Sequence, residues 1–261
     1  MKNSKKQKFC FGFIVLSLFL LTGISAQADS SLQQVVDSGE IRVGFCAQYP
    51  PFESVNVKTG EFEGFDIALA KAIADEMGVA AVLIDAEWQG LLGGLKKGDY
   101  DVLITCMAKS ESRRDNTNFS DVYYTLPDVI VVRQDDTIVK DKDDLSGKVI
   151  GVQLGSGSEQ LADSMEGRLK EIKRYNYNPE AFTDLKAKRI DAVFVGYAYA
   201  VNHMKSDSAY KIVDEPLAKA DIVAVLDKGA DALTQKINES LAKLKANGKY
   251  QKIVNQWLTV Q

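Results

Sequence analysis

Short apolar runs alternate with amphipathic stretches along most of the chain, and this alternation limits the folds open to it. Residues 40–45 alternate apolar and polar side chains as a strand does. After them, Asp66 is placed to cap a helix whose apolar residues recur every three or four positions, and Gly78 is placed to end it. Residues 81–84 are again strand-like. A strand, a helix and a strand in this order predict an α/β fold with a mostly parallel sheet.

The same alternation begins again in the second half of the chain. The other predicted helices cover residues 91–97, 158–171, 179–188 and 232–246, and the other predicted strands cover residues 100–105, 129–133, 148–153, 173–177, 191–195 and 222–226. Residues 134–137 are polar, and the chain can leave a first lobe there. The chain is long enough for one large domain or for two lobes.

The first 28 residues have the layout of a secretory signal peptide. Four lysines precede an apolar run at residues 9–21, and Ala26 and Ala28 supply the small side chains needed for cleavage. A membrane span needs about 20 apolar residues, and this run is shorter. We therefore expect export, cleavage after Ala28 and a soluble mature chain. That chain has 28 basic and 36 acidic residues, and its net charge of −8 argues against nucleic acid as a partner.

The most specific stretch of the sequence is residues 104–124, ITCMAKSESRRDNTNFSDVYY. It resembles the solute-binding proteins of polar amino-acid ABC importers, in which a buried strand, a Ser/Thr pair, an Arg and F-S-D-x-Y-Y follow in this order. Six further pieces match in the expected order: YPPF at 49–52, GFD at 64–66, WQGL at 88–91, GSGS at 155–158, RIDAV at 189–193 and GKY with WL between 248 and 258.

The resemblance covers nearly all of the chain after the leader. It implies the type II periplasmic-binding-protein fold of bacterial solute-binding protein family 3, with two α/β lobes, each a mostly parallel sheet flanked by helices, and a ligand cleft between them. On this basis we expect lobe one at residues 29–131 plus 222–261 and lobe two at residues 132–221. The implied mechanism is hinge closure, in which the ligand shifts an equilibrium between open and closed forms.

Arg113 and the Gly/Ser turn at residues 155–158 are the expected carboxylate site. Arg113 follows the carboxyl end of a predicted strand, where open α/β sheets bind ligands, and its rigid fork of donors matches a carboxylate. Ser156 and Gly157 lie where a helix opens, so backbone N–H groups and the helix dipole favour an anion. The resemblance implies that Arg113 grips the ligand's α-carboxylate and that Ser156 contacts it.

The resemblance also implies the walls of the cleft. Trp88 and Tyr49 fall where aromatic residues enclose the ligand's side chain, and Thr105 falls where a hydroxyl or carbonyl contacts the ligand. Large aromatic residues are also common in protein cores, so packing alone remains an open alternative for Trp88 and Tyr49.

The chain departs from the family pattern where an acid usually neutralises the ligand's α-ammonium. That position is Gly196 here, and Tyr197 follows it. Burying an ammonium group without a counter-charge costs several kcal/mol. Either another acid therefore substitutes, or aromatic faces such as Tyr197 and Trp88 hold the cation, or the ligand has no α-ammonium.

Cysteines occupy two of the expected pocket positions. Cys46 stands where binders of basic amino acids carry an acid, which argues against lysine or arginine as the ligand. Cys106 aligns with a pocket serine, so both cysteines would emerge from adjacent strand ends. In an oxidising compartment they would either form a disulfide or remain buried thiols. Two thiolates without a third ligand fall short of a usual metal site.

The expected function is the periplasmic solute-binding component of an ABC transporter, without enzymatic activity, cofactor or metal. Its expected partners are a small carboxylate-bearing ligand, either an amino acid or a derivative, and an inner-membrane ABC permease. The protein itself is expected to be monomeric. Two alternatives remain open: a cyclohexadienyl-dehydratase-like enzyme on the same fold, and a soluble ligand sensor. A dehydratase needs a general acid in the cleft, and residues 196–198 offer none.

Overall fold

Two five-stranded sheets flanked by helices form most of the structure. The computed structural model describes residues 29–259, apart from the side chains of residues 214 and 215, so the expected signal peptide lies outside the described residues. Its helices are α1 (Ser31–Ser38), α2 (Phe65–Met77), α3 (Leu91–Lys97), α4 (Glu111–Arg114), α5 (Gly157–Asp163), α6 (Asn178–Lys186), α7 (Tyr197–Met204), α8 (Asp231–Ala246) and α9 (Lys249–Trp257). Within residues 29–259, no helix has the length and apolar character that a membrane span requires.

The strands form two large sheets and one small one. They are β1 (Glu40–Phe45), β2 (Gln48–Tyr49), β3 (Glu53–Val55), β4 (Phe62–Glu63), β5 (Ala80–Asp85), β6 (Val102–Leu103), β7 (Thr117–Phe119), β8 (Tyr124–Arg133), β9 (Val149–Gln153), β10 (Glu171–Tyr175), β11 (Ala192–Gly196), β12 (Tyr210–Ile222) and β13 (Val225–Asp227). The first sheet has the order β5-β1-β6-β13-β7 and the second has the order β10-β9-β11-β8-β12. β2, β3 and β4 make the small antiparallel sheet.

Four of the five strands of each large sheet run in one direction, and the fifth, which is β13 in the first sheet and β8 in the second, runs opposite to them. β5, β1 and β6 are parallel in the first sheet, and β10, β9 and β11 are parallel in the second. The remaining strands join antiparallel. The sheets are therefore mixed, but most strands of each run in one direction, as the sequence predicts.

β8 and β12 connect the two sheets. They pair antiparallel from Tyr124 opposite Ile222 to Arg133 opposite Tyr210, with an irregularity in the register near the middle of β12. β7 and β13, which precede β8 and follow β12 in the chain, belong to the first sheet. The lobe limits expected at residues 131 and 222 stay a prediction, and the strand of the second sheet already begins at Tyr124.

The last two helices return to the first sheet. α8 packs on α1 and α2, and α9 packs on α2 and α8. Leu233, Ile237 and Leu241 of α8 are buried in the same cluster as Val43 of β1 and Ile73 of α2. The amphipathic pattern predicted for residues 232–246 is thus confirmed, and the hydrophobic effect on this stripe stabilises the return of the chain.

Most predicted elements form, with limits that shift by a few residues. The strand at residues 40–45 and the helix at residues 91–97 are confirmed, and Gly78 ends α2 with a φ of 76°. The helix predicted at residues 158–171 is too long, since α5 ends at Asp163 and Gly167 lowers helix propensity beyond it. The capping role of Asp66 is wrong, because this side chain makes no cap bond and is fully buried beneath the cleft described below.

We predict that Gly64→Ala destabilises the protein by about 2 to 4 kcal/mol. Gly64 precedes α2 with a φ of 131°, and a β-carbon there would lie 2.1 Å from the carbonyl oxygen of Phe52. That carbonyl accepts a hydrogen bond from the N–H of Asp66, so the contact positions the loop before Glu53.

Urea unfolding of Gly64→Ala measures this effect. The control is Gly93→Ala in α3, where an added β-carbon meets nothing within 4 Å. This control should be neutral or slightly stabilising, because alanine is the better helix former. Equal stability of the two variants would contradict the prediction.

Candidate functional site

A cleft between the two large sheets is the candidate site. It has about 600 Å³ of space not filled by protein atoms, part of it open to solvent. The residues before β8 that line it are Cys46, Gln48, Tyr49, Glu53, Trp88, Thr105, Cys106 and Ala108, and the rest of the lining consists of Leu126, Asp128, Gln153, Ser156, Gly157, Ser158, Asn178, Val195, Ala220 and Ile222. Several of these residues lie at the carboxyl ends of β1, β6 and β9, where open α/β sheets bind ligands.

Thr105 connects the segments that form the floor of the cleft. Its side-chain oxygen accepts a hydrogen bond from the N–H of Cys46 at 3.1 Å and donates one to the carboxyl group of Glu53 at 2.9 Å. The N–H of Cys106 donates to the carboxylate of Asp66. The hydroxyl of Thr105 and the carboxylate of Asp66 therefore hold the ends of β1 and β6 against the segments that carry Glu53 and Asp66.

Glu53 and Asp66 form a buried carboxyl pair, with exposures of 1% and 0%. Burial raises the pKa of Glu53 well above its ordinary value, and the charge of Asp66 and the hydrogen bond between the two side chains raise it further. Burial also raises the pKa of Asp66, to about 6, although hydrogen bonds from Glu53 and Cys106 oppose the shift. Two carboxylates this close cannot both ionise readily. At neutral pH Glu53 therefore holds the proton and meets the cleft as a neutral acid.

Asp128 is the second acid in the lining of the cleft. It is 5% exposed, and the hydroxyl of Ser158 donates a hydrogen bond to its Oδ1 at 2.7 Å. Burial raises the pKa of Asp128, and the bond from Ser158 acts in the opposite direction. Among the residues that the structure describes, no lysine or arginine forms an ion pair with this carboxylate.

Side chains of the first lobe reach across the cleft to the turn between β9 and α5. Trp88 Nε1 and Gln89 Nε2 each donate a hydrogen bond to the carbonyl oxygen of Leu154 at 2.9 Å. Arg113 Nη2 donates to the carbonyl oxygen of Gly155 at 2.5 Å. These hydrogen bonds tie the two sheets together on one side of the cleft.

Arg113 lies beside the cleft and not in its lining. Its Nη1 donates to the carbonyl oxygen of Ala108 at 2.6 Å, and burial lowers its pKa without a carboxylate to oppose the shift. A guanidinium has five N–H donors and stays charged in proteins. With two donors on carbonyl oxygens, the other three remain for a ligand, so the carboxylate role of Arg113 stays a prediction.

Tyr197 and Gly196 also lie outside the lining of the cleft. Tyr197 is 39% exposed and lines a separate depression with Pro51, Tyr124 and Trp257. The physical reason is that α7 begins at Tyr197, so the chain leaves the cleft at this residue. A cation–π contact of Tyr197 with a ligand in the cleft is therefore not supported. Of the two aromatic residues expected to hold a ligand cation, Trp88 is the one that lines the cleft.

Tyr49 fills the space next to Gly196. Its hydroxyl oxygen accepts a hydrogen bond from the N–H of Gly196 at 3.2 Å, and its ring stacks on Tyr199 with the ring centroids 4.6 Å apart. A β-carbon at Gly196 would lie 2.7 Å from the Tyr49 hydroxyl oxygen and 2.5 Å from Cδ2 of Leu126. No side chain fits at this position unless Tyr49 or Leu126 moves.

Cys46 and Cys106 line the cleft as free thiols, so the expected alternative of a disulfide is not formed here. Burial and then the charge of Asp85 raise the pKa of Cys46 to about 11, and burial and then the charge of Asp66 raise that of Cys106 well above its ordinary value. Both thiols are therefore protonated at neutral pH. In the described part of the chain, no three His, Cys, Asp or Glu side chains form a group that could hold a metal ion.

Sequence reasoning missed several polar residues of the cleft. Gln153 and Asn178 line it as a hydrogen-bonded pair, with Asn178 Nδ2 donating to Gln153 Oε1 at 3.1 Å. Asp128 could have been recognised from the sequence, because it is a single acid in the otherwise apolar run LPDVIVV. A lone acid in such a strand is seldom buried without a partner. Glu53 could not be recognised in the same way, since it begins the short strand β3 in a stretch of mixed polar and apolar residues.

Comparisons with known proteins agree with this fold and cleft. The sequence model of the family described as "Bacterial extracellular solute-binding proteins, family 3" matches residues 41–260. The L-cystine-binding protein TcyJ of Escherichia coli (strain K12) is 28% identical over 250 residues, which are 93% of this chain and 92% of that protein. The L-arginine-binding protein of Pseudomonas aeruginosa is 31% identical over 251 residues, which are 92% of this chain and 95% of that protein.

A solved structure extends the similarity. The crystal structure of the ancestral amino acid-binding protein AncCDT-1, described as a precursor of cyclohexadienyl dehydratase, has a TM-score of 0.81 and 31% sequence identity. The match covers 88% of this chain and all of that one. This chain is thus similar over nearly its whole described length to proteins whose names state amino-acid binding.

We predict that Cys46 reacts with a thiol reagent about a hundredfold more slowly in the folded protein than in the urea-unfolded chain. A rise of its pKa from 9.0 to about 11 leaves about a hundredfold less thiolate at the same pH. The measurement uses the chain from residue 29 onwards with Cys106→Ser, so that Cys46 is the single thiol. Rapid labelling of the folded variant would contradict a buried thiol.

The wild-type chain, unfolded without reductant, provides the control. It should release two thiols per molecule, because both cysteines are free. A count of zero would show that the purified protein contains a disulfide.

We predict that Glu53→Gln makes stability less dependent on pH between about pH 4 and pH 8. An acid whose pKa rises on folding stabilises the fold below its ordinary pKa, and this contribution is lost as the pH rises through the folded value, about 6 for Asp66 and higher for Glu53. Glutamine still offers a donor to Asp66 but cannot titrate.

Urea midpoints at the two ends of this pH range test the prediction. Wild type should lose more stability than Glu53→Gln towards alkaline pH. The control is Glu61→Gln, whose exposed side chain lies in the loop before β4, and it should keep the wild-type slope. Parallel slopes for wild type and both variants would contradict the prediction.

Proposed function

Because the chain belongs to the bacterial extracellular solute-binding proteins of family 3, we propose that it binds a small carboxylate-bearing, amino-acid-like solute and delivers it to an ABC permease. Solute binding is the activity of this family. The proposal adds three points: the carboxylate of the ligand, the role of Arg113 and a mechanism of hinge closure.

One observation carries the proposal: the cleft lies between two sheets that are tied together by few contacts. On one side, Trp88, Gln89 and Arg113 donate hydrogen bonds to the turn between β9 and α5. Between the sheets the chain crosses by β8 and β12, where a small change of strand direction can open or close the cleft. A ligand that contacts both lobes binds the closed form better, and it therefore shifts the population towards closure.

The anionic end of the ligand is assigned to Arg113, Ser156 and Gly157. Ser156 and Gly157 line the cleft, and Arg113 is next to them through its bond with the carbonyl oxygen of Gly155. A carbonyl oxygen is a weaker acceptor than a carboxylate for a charged donor. A ligand carboxylate in the cleft is therefore expected to replace one of the two carbonyl contacts of Arg113.

The compartment and partner follow from the same assignment. We propose that the first 28 residues direct export to the periplasm and are removed after Ala28, and that the mature protein acts as a monomer with an inner-membrane ABC permease. The family description as extracellular and the names of the relatives, which state amino-acid binding, support this proposal.

A dehydratase activity is not favoured. The relatives are named as binding proteins, and AncCDT-1 is itself described as amino acid-binding although it is a precursor of an enzyme. Glu53 is a neutral acid in the cleft, but its carboxyl group is hydrogen-bonded to Thr105 and Asp66. These bonds leave it less free to protonate a leaving group.

A thermal-shift screen of the ligand-free chain from residue 29 tests the proposed function. The panel contains amino acids, their N-methylated and cyclic derivatives, and simple mono- and dicarboxylates. Saturation of a site raises the free energy of unfolding by about 2.7 kcal/mol at a hundredfold excess over the dissociation constant. Stabilisation by one carboxylate-bearing class supports the proposal, and no shift with any compound contradicts it.

We predict that Arg113→Ala weakens binding of the strongest compound in this screen by about 2 to 5 kcal/mol, because a charged hydrogen-bond partner of the carboxylate is lost. Isothermal titration calorimetry measures the change. Arg114→Ala is the matched control, since Arg114 is exposed and its guanidinium pairs with Glu111. Unchanged affinity in Arg113→Ala would show that the carboxylate binds elsewhere.

A further inference from the structure

We propose that Asp128 is the counter-ion for a protonated amine on the ligand. This inference rests on the proposed binding function and narrows its ligand class. It assigns the cationic end of the ligand to a named side chain of the second sheet.

The first observation is that the carboxylate of Asp128 has fewer partners than a buried charge requires. It lines the cleft with 5% exposure, and Ser158 donates to its Oδ1. No other hydrogen bond to this carboxylate is formed within residues 29–259. A buried carboxylate is stable when it has several donors or a cation, so a donor inside the cleft would complete the site.

The second observation concerns the other charges around the cleft. Its lining, as the structure describes it, includes the acids Glu53 and Asp128 and no lysine, arginine or histidine. Glu53 is neutral, because it holds the proton of its pair with Asp66. Arg113 is directed to the carbonyl oxygens of Ala108 and Gly155. Asp128 is thus the acid in the lining that is available to a cation.

The third observation is the spacing between the two proposed ends of the ligand. Ser158, which bonds Asp128, lies in the first turn of α5, and Ser156 and Gly157 line the cleft immediately before it. The carboxylate and the amine of an α-amino acid are separated by a single carbon atom. A ligand whose carboxylate lies at Ser156 and Gly157 therefore places its amine next to the pair of Asp128 and Ser158.

The residues paired with Asp128 on the neighbouring strands have side chains too small to cover its carboxylate. Asp128 on β8 lies opposite Gly196 on β11 and opposite Ala218 on β12. Directly opposite residues share a face of the sheet, and these two have the smallest side chains. A side chain at residue 196 would require Tyr49 or Leu126 to move. The chain has no acid at residue 196 and has one directly opposite it in the ladder, at residue 128.

The experiment compares amines with matched compounds that lack the amine. Calorimetry is carried out on ligand-free protein with the proteinogenic L-amino acids and L-cystine, and then with the des-amino acid of each binder, for example guanidinovalerate for L-arginine and dithiodipropionate for L-cystine. We expect wild type to bind the amino acid at least about thirtyfold more tightly than its des-amino acid, which is the low end for a buried charge pair.

In Asp128→Asn this preference should fall by at least about thirtyfold, while the affinity for the des-amino acid stays equal or rises. Asparagine keeps the shape of the side chain, and far-UV circular dichroism checks that the variant folds. Asp221→Asn is the control for the change of charge, because this exposed acid lies on β12 near the edge of the cleft and should retain the full preference.

Two results would overturn the proposal. The first is a wild type that binds the des-amino acids as tightly as the amino acids, which requires no variant to fold. The second is a preference that survives in Asp128→Asn, and its loss in Glu53→Gln would then assign the cation to Glu53. In both cases carboxylates still bind, so the proposed function stands. Absence of binding by every compound instead contradicts the proposed function, and this inference with it.

Discussion

The cost of removing charged groups from water is the constraint on which this cleft depends. Glu53, Asp66 and Asp128 are buried, and Arg113 is partly buried. Each of these groups is stable only with a proton, a hydrogen bond or an opposite charge. Glu53 and Asp66 share a proton, and Arg113 uses two carbonyl oxygens. The hydroxyl of Ser158 donates a hydrogen bond to one oxygen of the Asp128 carboxylate. Asp128 is therefore the buried group that still requires a partner from the ligand.

The fold places these groups together through the ends of its strands. Cys46 follows β1, Thr105 and Cys106 follow β6, and Gln153 ends β9, so two separate sheets direct their carboxyl ends to one space. Closure then depends on a few hydrogen bonds, each of which contributes about 1 kcal/mol net. Contacts of that size hold the lobes together and still allow them to separate. Reversible capture of a solute requires this balance, since a ligand can shift the equilibrium only by its preference for the closed form.

The packing around Gly196 is consistent with the absence there of the acid that the family resemblance leads us to expect. The ring of Tyr49 stacks on Tyr199, and its hydroxyl reaches the backbone of Gly196. A larger side chain fits there only if Tyr49 or Leu126 moves. The charge that a zwitterionic ligand would require is then available from the neighbouring strand, where the carboxylate of Asp128 meets the same cleft.

The sequence by itself determined the α/β class, the strand at residues 40–45 and the helix at residues 91–97, which follow from local periodicity. Seven of the ten predicted site residues line the cleft, among them Trp88, Thr105 and Ser156, and they follow from the resemblance of short motifs to the family. Only the tertiary structure decided that β8 begins at Tyr124 and carries Asp128 into the cleft, that Asp66 pairs with Glu53 instead of capping α2, and that Tyr197 turns away. The physical reason is that strand pairing, the direction of a side chain and the partner of a buried charge depend on residues far apart in the sequence, and no local pattern encodes them.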